Sequence, residues 1–193
     1  MSLLLRKYQQ QLAERPLRTF ALQSGCILTL GDIIAQQFIE KKGLENHDIA
    51  RSLRTTAYGL CIGGPVIGTW FGFVNRVVTI KSKVGAAFAR LALDQIFFTP
   101  TILAMYMGCV SVLEGRNFAQ IQNKFRNSYL DGLSTAYHFW PFANMFVFAV
   151  VPMQFRPLIN SGFGVGWNTY LSYLNQQSLK QPNLEASDIP SAL

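Results

Sequence analysis

The chain has 193 residues, of which half are hydrophobic and only 14% charged, with a net charge of +7. That charge density lies well below the roughly 25% of soluble domains and sets a soluble globular class aside. An odd set of three cysteines argues against a disulfide framework, and basic residues scattered between apolar stretches argue against a nucleic-acid footprint.

Four stretches, 17–39, 55–80, 88–113 and 137–155, are apolar enough and long enough to predict helices across a bilayer. Each reaches or approaches the roughly 20 residues that cross about 30 Å of hydrocarbon. The mean hydropathy of +0.20 averages these spans with polar connections. Ahead of them, the apolar run Leu3–Leu5 is too short for a secretory signal, so the amino-terminal segment reads as a short amphipathic lead-in with Arg6, Lys7 and Arg15 at the surface.

Pro16 stands where a helix start tolerates proline. On a helical wheel Arg18, Gly25, Thr29, Asp32, Gln36 and Glu40 fall within a sector of about 80°. One polar stripe on an otherwise apolar helix cannot face lipid, so it faces other helices or a watery passage. Thr29, Asp32 and Gln36 are therefore candidates to line a solute pathway, with interhelical hydrogen bonding as the plainer role.

The second stretch carries Gly64, Gly68 and Gly72 on one face, with Pro65 beside them. Small residues at this spacing let helix backbones approach closely, within one chain or between copies. The connection to the third stretch is basic, with Arg76, Lys81, Lys83 and Arg90. Asp94 follows Arg90 by one turn, a spacing that permits a local ion pair. Facing Asp32 instead, it would complete an acidic constriction and join the pore-lining candidates. Pro65 and Pro100 free backbone carbonyls that a neighbour must satisfy.

Residues 114–136 place Phe118, Ile121, Phe125 and Tyr129 on one side, as in an amphipathic helix at the membrane surface. The fourth stretch begins with aromatic residues from Tyr137 to Trp140, as expected at headgroup level. Residues 157–177 read as either a fifth embedded helix or an interfacial one. The expected domain is 1–177, followed by a polar tail, 178–193, expected to be disordered. Counting Lys and Arg over four spans gives a weak bias toward both chain ends facing the positive compartment. The two histidines, His47 and His138, lack a nucleophile or metal partner in the pattern. No catalytic residue, metal or cofactor is expected.

Several motifs occur in a specific order. They are Gly31-Asp32-Ile33-Ile34-Ala35-Gln36-Gln37, Gly64-Pro65 with Trp70, Leu93-Asp94-Gln95 with Pro100, Trp140-Pro141, Val151-Pro152 with Arg156, and Trp167-Asn168-Thr169-Tyr170-Leu171-Ser172. In this order the chain resembles the peroxisomal 22-kDa membrane protein family, also called Mpv-seventeen, from about Tyr8 to Tyr173. The Gly31-Asp32 pair and the short amino end look more like its mitochondrial inner-membrane branch than its peroxisomal one. The terminal Ser191-Ala192-Leu193 lacks the basic middle residue of a peroxisomal address. The resemblance implies an all-α integral membrane bundle of four transmembrane helices with interfacial helices. It implies a channel-like role that passes small solutes and supports mitochondrial homeostasis, stress response and mitochondrial DNA maintenance. A non-conducting scaffold for partners or lipids is the other reading. The expected partners are the bilayer, small-molecule solutes and further copies of the chain.

Overall fold

A computed structural model describes residues 3–150, 159 and 162–175, and the described residues are helical throughout, with short connections and no strand. Helix α1 (Leu3–Glu14) leads into α2 (Pro16–Ile34), which continues through a wide π-type turn, Ala35–Ile39. A loop containing Lys41 and Gly43 in left-handed conformations reverses the chain. Asp48 then caps α3 (Ile49–Tyr58), its carboxylate accepting the Arg51 N–H at 2.9 Å.

Helix α3 passes through a second π turn, Gly59–Gly63, into α4 (Gly64–Val77). Ser82 caps α5 (Lys83–Leu93), which passes through a third π turn, Asp94–Phe98, into α6 (Thr99–Leu113). Both prolines expected to disturb these helices, Pro65 and Pro100, sit just after a π turn. A proline ring clashes with the carbonyl four residues back, and the extra residue of the wider turn shifts that carbonyl aside. The helices therefore run on as Ile49–Val77 and Val84–Leu113, of 29 and 30 residues.

Length and composition mark these two helices as able to cross a membrane, with mean hydropathies of 1.4 and 1.8. No more than a third of residues in either apolar window is buried within the protein, unlike the core helix of a soluble domain. Their outward faces carry Phe71, Phe73, Phe88, Ile96 and Phe97. Helix α2 and the carboxyl part of the next long helix do not reach the same standard by these two measures.

That next helix differs from expectation. The anticipated surface helix and the start of the fourth span form one continuous helix, α7 (Phe118–Val150), of 33 residues. It runs antiparallel along α6: Lys124 Nζ donates to Ser111 Oγ at 2.8 Å, and Gly132, further along α7, lies against Leu103, further back on α6. Phe125 and Tyr129, expected on a membrane surface, pack inward on the core of Leu28, Tyr58, Tyr106, Met107 and Val110. They do so because α6 offers an apolar groove alongside. Phe118 remains exposed. A final helix, α8 (162–175), inserts Leu171, Ser172 and Asn175 into the bundle. Residues 151–155 of the fourth predicted span and the tail 178–193 lie outside the described residues.

Helices α2 and α3–α4 meet backbone to backbone. A Cβ built on Gly64 would lie 2.4 Å from Ala21 Cα, and one on Gly59 would lie 2.9 Å from Gly25 Cα. Gly68 faces the Phe20 and Leu17 side chains. Gly72, expected on the same contact, has open space around it. The helices diverge by that turn, and the Phe20–Phe71 stack at 5.7 Å fills the gap. Thus Gly64→Ala should cost about 1–3 kcal/mol by overpacking against rigid backbone. Gly72→Ala should instead gain up to about 1 kcal/mol of helix propensity. Thermal unfolding of both variants in one detergent distinguishes them, and equal shifts would contradict the packing.

Candidate functional site: a buried ionic cluster

Asp32 is fully buried, seven residues before the end of the first π turn, or about 10 Å of helix. Gln36, one turn on, is fully buried too. The Asp48 cap fixes the first turn of α3, and that turn presents Arg51 and Ser52 to α2. From α8 comes Ser172, 2% exposed.

Both oxygens of the Asp32 carboxylate are partnered. One pairs ionically with Arg51, whose Nε lies 2.6 Å away, and accepts the Ser172 hydroxyl. The other receives the Ser52 hydroxyl at 2.6 Å and Gln36 Nε2 at 2.9 Å. Arg51, 3% exposed, forks onto Glu40 at 2.8 and 3.0 Å. It also donates to the Ser172 hydroxyl at 2.9 Å. Gln36 Oε1 accepts the Asp48 N–H at 2.7 Å, tying the loop down. One guanidinium thus serves two carboxylates from α2, with Lys42 also 3.4 Å from Glu40. Burial by itself would raise the Glu40 pKa, but the Arg51 hydrogen bonds and charge, with help from Lys42, hold it below the ordinary value.

Of the residues singled out in the sequence, Asp32 and Gln36 meet in this cluster. Thr29 sits one turn away and bridges α2 to α3 through Thr56 Oγ1 at 2.5 Å. Asp94 is elsewhere. It accepts the Trp70 indole N–H at 2.5 Å, with Trp70 stacked on Phe98 at 5.2 Å. Trp70 lies 18 residues beyond Ser52 on the same continuous helix, roughly 27 Å of rise, so the two aspartates form no common constriction. The Arg90–Asp94 ion pair that the spacing permits is absent among the described residues. Asp94 lies at the entry to a π turn, and the indole takes its carboxylate.

Arg51 was legible only as a loop-side cation, and a second buried group was not legible at all. Lys124 on α7 is 3% exposed and donates to Ser111 Oγ at 2.8 Å and to Asn175 Oδ1. Asn175 in turn donates to Glu114 at 2.6 Å, and Arg116 holds the other Glu114 oxygen at 2.8 Å. A cavity of about 10 Å³ beside Lys124, Tyr106 and Ser128 has room for roughly one water. The one available signal was that Lys124 interrupts the inward face between Ile121 and Ser128.

His47 touches the cluster through Nε2 and Ser52 Oγ at 3.1 Å. The order is His47–Ser52–Asp32, whereas activating a serine nucleophile needs imidazole between the hydroxyl and the carboxylate. The arrangement binds three helices together and does not expose an attacking group.

Removing Arg51 leaves two acids facing each other in a low-dielectric site. Arg51→Met should therefore cost about 3–5 kcal/mol, as for a broken buried pair. Asp32→Asn leaves Arg51 with Glu40 and should cost less, about 1–3 kcal/mol. Denaturation in detergent orders the two, and a milder Arg51 variant would contradict the geometry. The Glu40 pKa, lowered in the fold, contributes stability above the ordinary value of 4.5 and loses it as pH falls through the folded-state value. The stability gap between the parent and Glu40→Gln should accordingly be present at neutral pH and close in acid.

Comparison with known proteins returns one family. The Mpv17 / PMP22 family description matches residues 111–172. The chain is 41% identical over 171 residues to protein sym-1 of Neurospora crassa, covering 88% of this chain and 98% of that one. It is 35% identical over 170 residues to mitochondrial inner membrane protein Mpv17 of Homo sapiens, covering 88% and 96%. It is 33% identical over 178 residues to the protein of the same name from Xenopus laevis, covering 92% and 100%. No solved structure matches. Identity at this level over nearly the whole of each relative means that the chain belongs to the Mpv17/PMP22 family and, with its two Mpv17 relatives, to the mitochondrial inner membrane.

Proposed function

We propose that the chain is a channel-like protein of the mitochondrial inner membrane that passes small solutes, with α2, the two long apolar helices and α7 as its four spans. The observation that carries this reading is the Asp32–Arg51–Glu40 cluster. Asp32 and Arg51 lie in the interior of an apolar helical protein, tied to Ser172 of α8, with Glu40 at the helix end beside them. Intramembrane ionisable groups are expensive and are by default candidates for functional sites. In the closed arrangement described here the cluster acts as a latch between α2, α3 and α8, with Thr29 and Gln36 beside it. Asp94 belongs to a separate contact with Trp70. Support for homeostasis, stress response and mitochondrial DNA maintenance is then indirect, through the supply of solutes to the matrix.

The alternative is a non-conducting scaffold for lipids or partners. It is favoured by the glycine contacts that bring α2 and α4 together at Gly64. Pure protein in planar bilayers separates the readings. The channel reading expects discrete conductance steps. Because about 1 kcal/mol of lost latch energy shifts a two-state ratio about fivefold, it also expects Asp32→Asn to raise the open fraction by about that factor. A silent bilayer supports the scaffold, and conductance unchanged by Asp32→Asn removes the latch.

A further inference from the structure

The outward face of α7 carries a second polar stripe. Gln120, Asn123, Asn127, Asp131, Ser134 and His138 follow one another at three- and four-residue spacing and are all exposed. They occupy a sector of about 80° on the helix, opposite the face that packs on α6.

The depth of this stripe makes it unusual. Ser172 of α8 bonds Asp32 of α2, and Leu174, two residues on, lies against Gly132 of α7. Asp131 is therefore at about the level of Asp32. At that level the other side of the bundle turns Leu30, Ile33 and Leu53 outward, a surface suited to lipid. Further along α7 the same face becomes apolar, with exposed Phe142 and Met145. A carboxylate with Asn127, Ser134 and His138 within about two turns of it cannot face hydrocarbon at the depth where the opposite side of the molecule does.

We propose that this stripe lines a water-filled seam between α7 and a second copy of the chain, and that the seam is the solute route of the channel described above, on which the proposal rests. The stripe suits a copy of itself. Its amides and hydroxyls both donate and accept, so like faces are complementary. Its one formal charge, Asp131, meets an equal charge at the same depth, which keeps water in the seam and favours cations. The latch has a physical connection to it: Arg51 and Asp32 hold Ser172, while α8 holds α7 through Asn175 with Lys124 and Tyr170 with Thr135.

The test replaces Cys26, Cys61 and Cys109 with Ser and restores single cysteines as Asn127→Cys or Ser134→Cys. A variant keeping only Cys26, which is exposed on α2, serves as the lipid-side control. In proteoliposomes, a charged membrane-impermeant thiol reagent should label the α7 positions at least roughly tenfold faster than Cys26, since only the hydrated thiolate reacts. A short bifunctional thiol reagent should join two copies through Asn127→Cys. Labelling no faster than Cys26 overturns the seam. Fast labelling without crosslinked dimer overturns the second copy as its other wall. Fast labelling seen only after deleting residues 178–193 shows that the tail covers the face and overturns the proposal. Hydrated, crosslinked α7 in protein that never conducts leaves the seam standing and removes the channel reading. Conductance with unreactive α7 does the reverse.

Discussion

A charge taken out of water must be paired, and in this protein that requirement organises one end of the bundle. The Asp32 carboxylate accepts three hydrogen bonds and pairs ionically with Arg51, the four partners being drawn from α2, α3 and α8. No single helix could supply them. Such a pair adds little net stability compared with a well-packed apolar core, yet breaking one half is costly. Its effect is to specify how three helices dock. Arg51 is suited to the position because its planar fork reaches Glu40 with two nitrogens while Nε remains for Asp32.

Away from that end, steric closeness takes over. Gly25 and Gly59, with Gly64 against Ala21, bring α2 and the α3–α4 helix into backbone contact. Lipid tails are as apolar as leucine, so the gain comes from van der Waals contact rather than from expelling water. The second and third π turns let the two long apolar helices accept Pro65 and Pro100 and stay continuous. A helix that must cross a bilayer keeps its backbone groups paired internally, and a wider turn does so where a break would not.

Helix α7 shows how tertiary context reverses a local reading. Its Phe125 and Tyr129 face α6, which leaves the polar side outward. Amphipathicity reports that two faces differ. It does not report which neighbour takes the apolar one, because hydrocarbon tails and a protein groove are equivalent to a phenylalanine ring.

The helical class, the membrane setting and the family motifs were legible in the sequence, since apolar run length and ordered short motifs are properties of the chain itself. The burial of Asp32 and Gln36 was legible too, as one stripe on one wheel. Their partners were not: Ser172 lies 140 residues from Asp32 and Asn175 lies 51 from Lys124, and no periodicity reaches so far. Nor could spacing show that Asp94 bonds Trp70 rather than Arg90, or that Gly72 stands clear while Gly64 touches. Those outcomes depend on helix crossing and relative depth, which only the packed bundle decides.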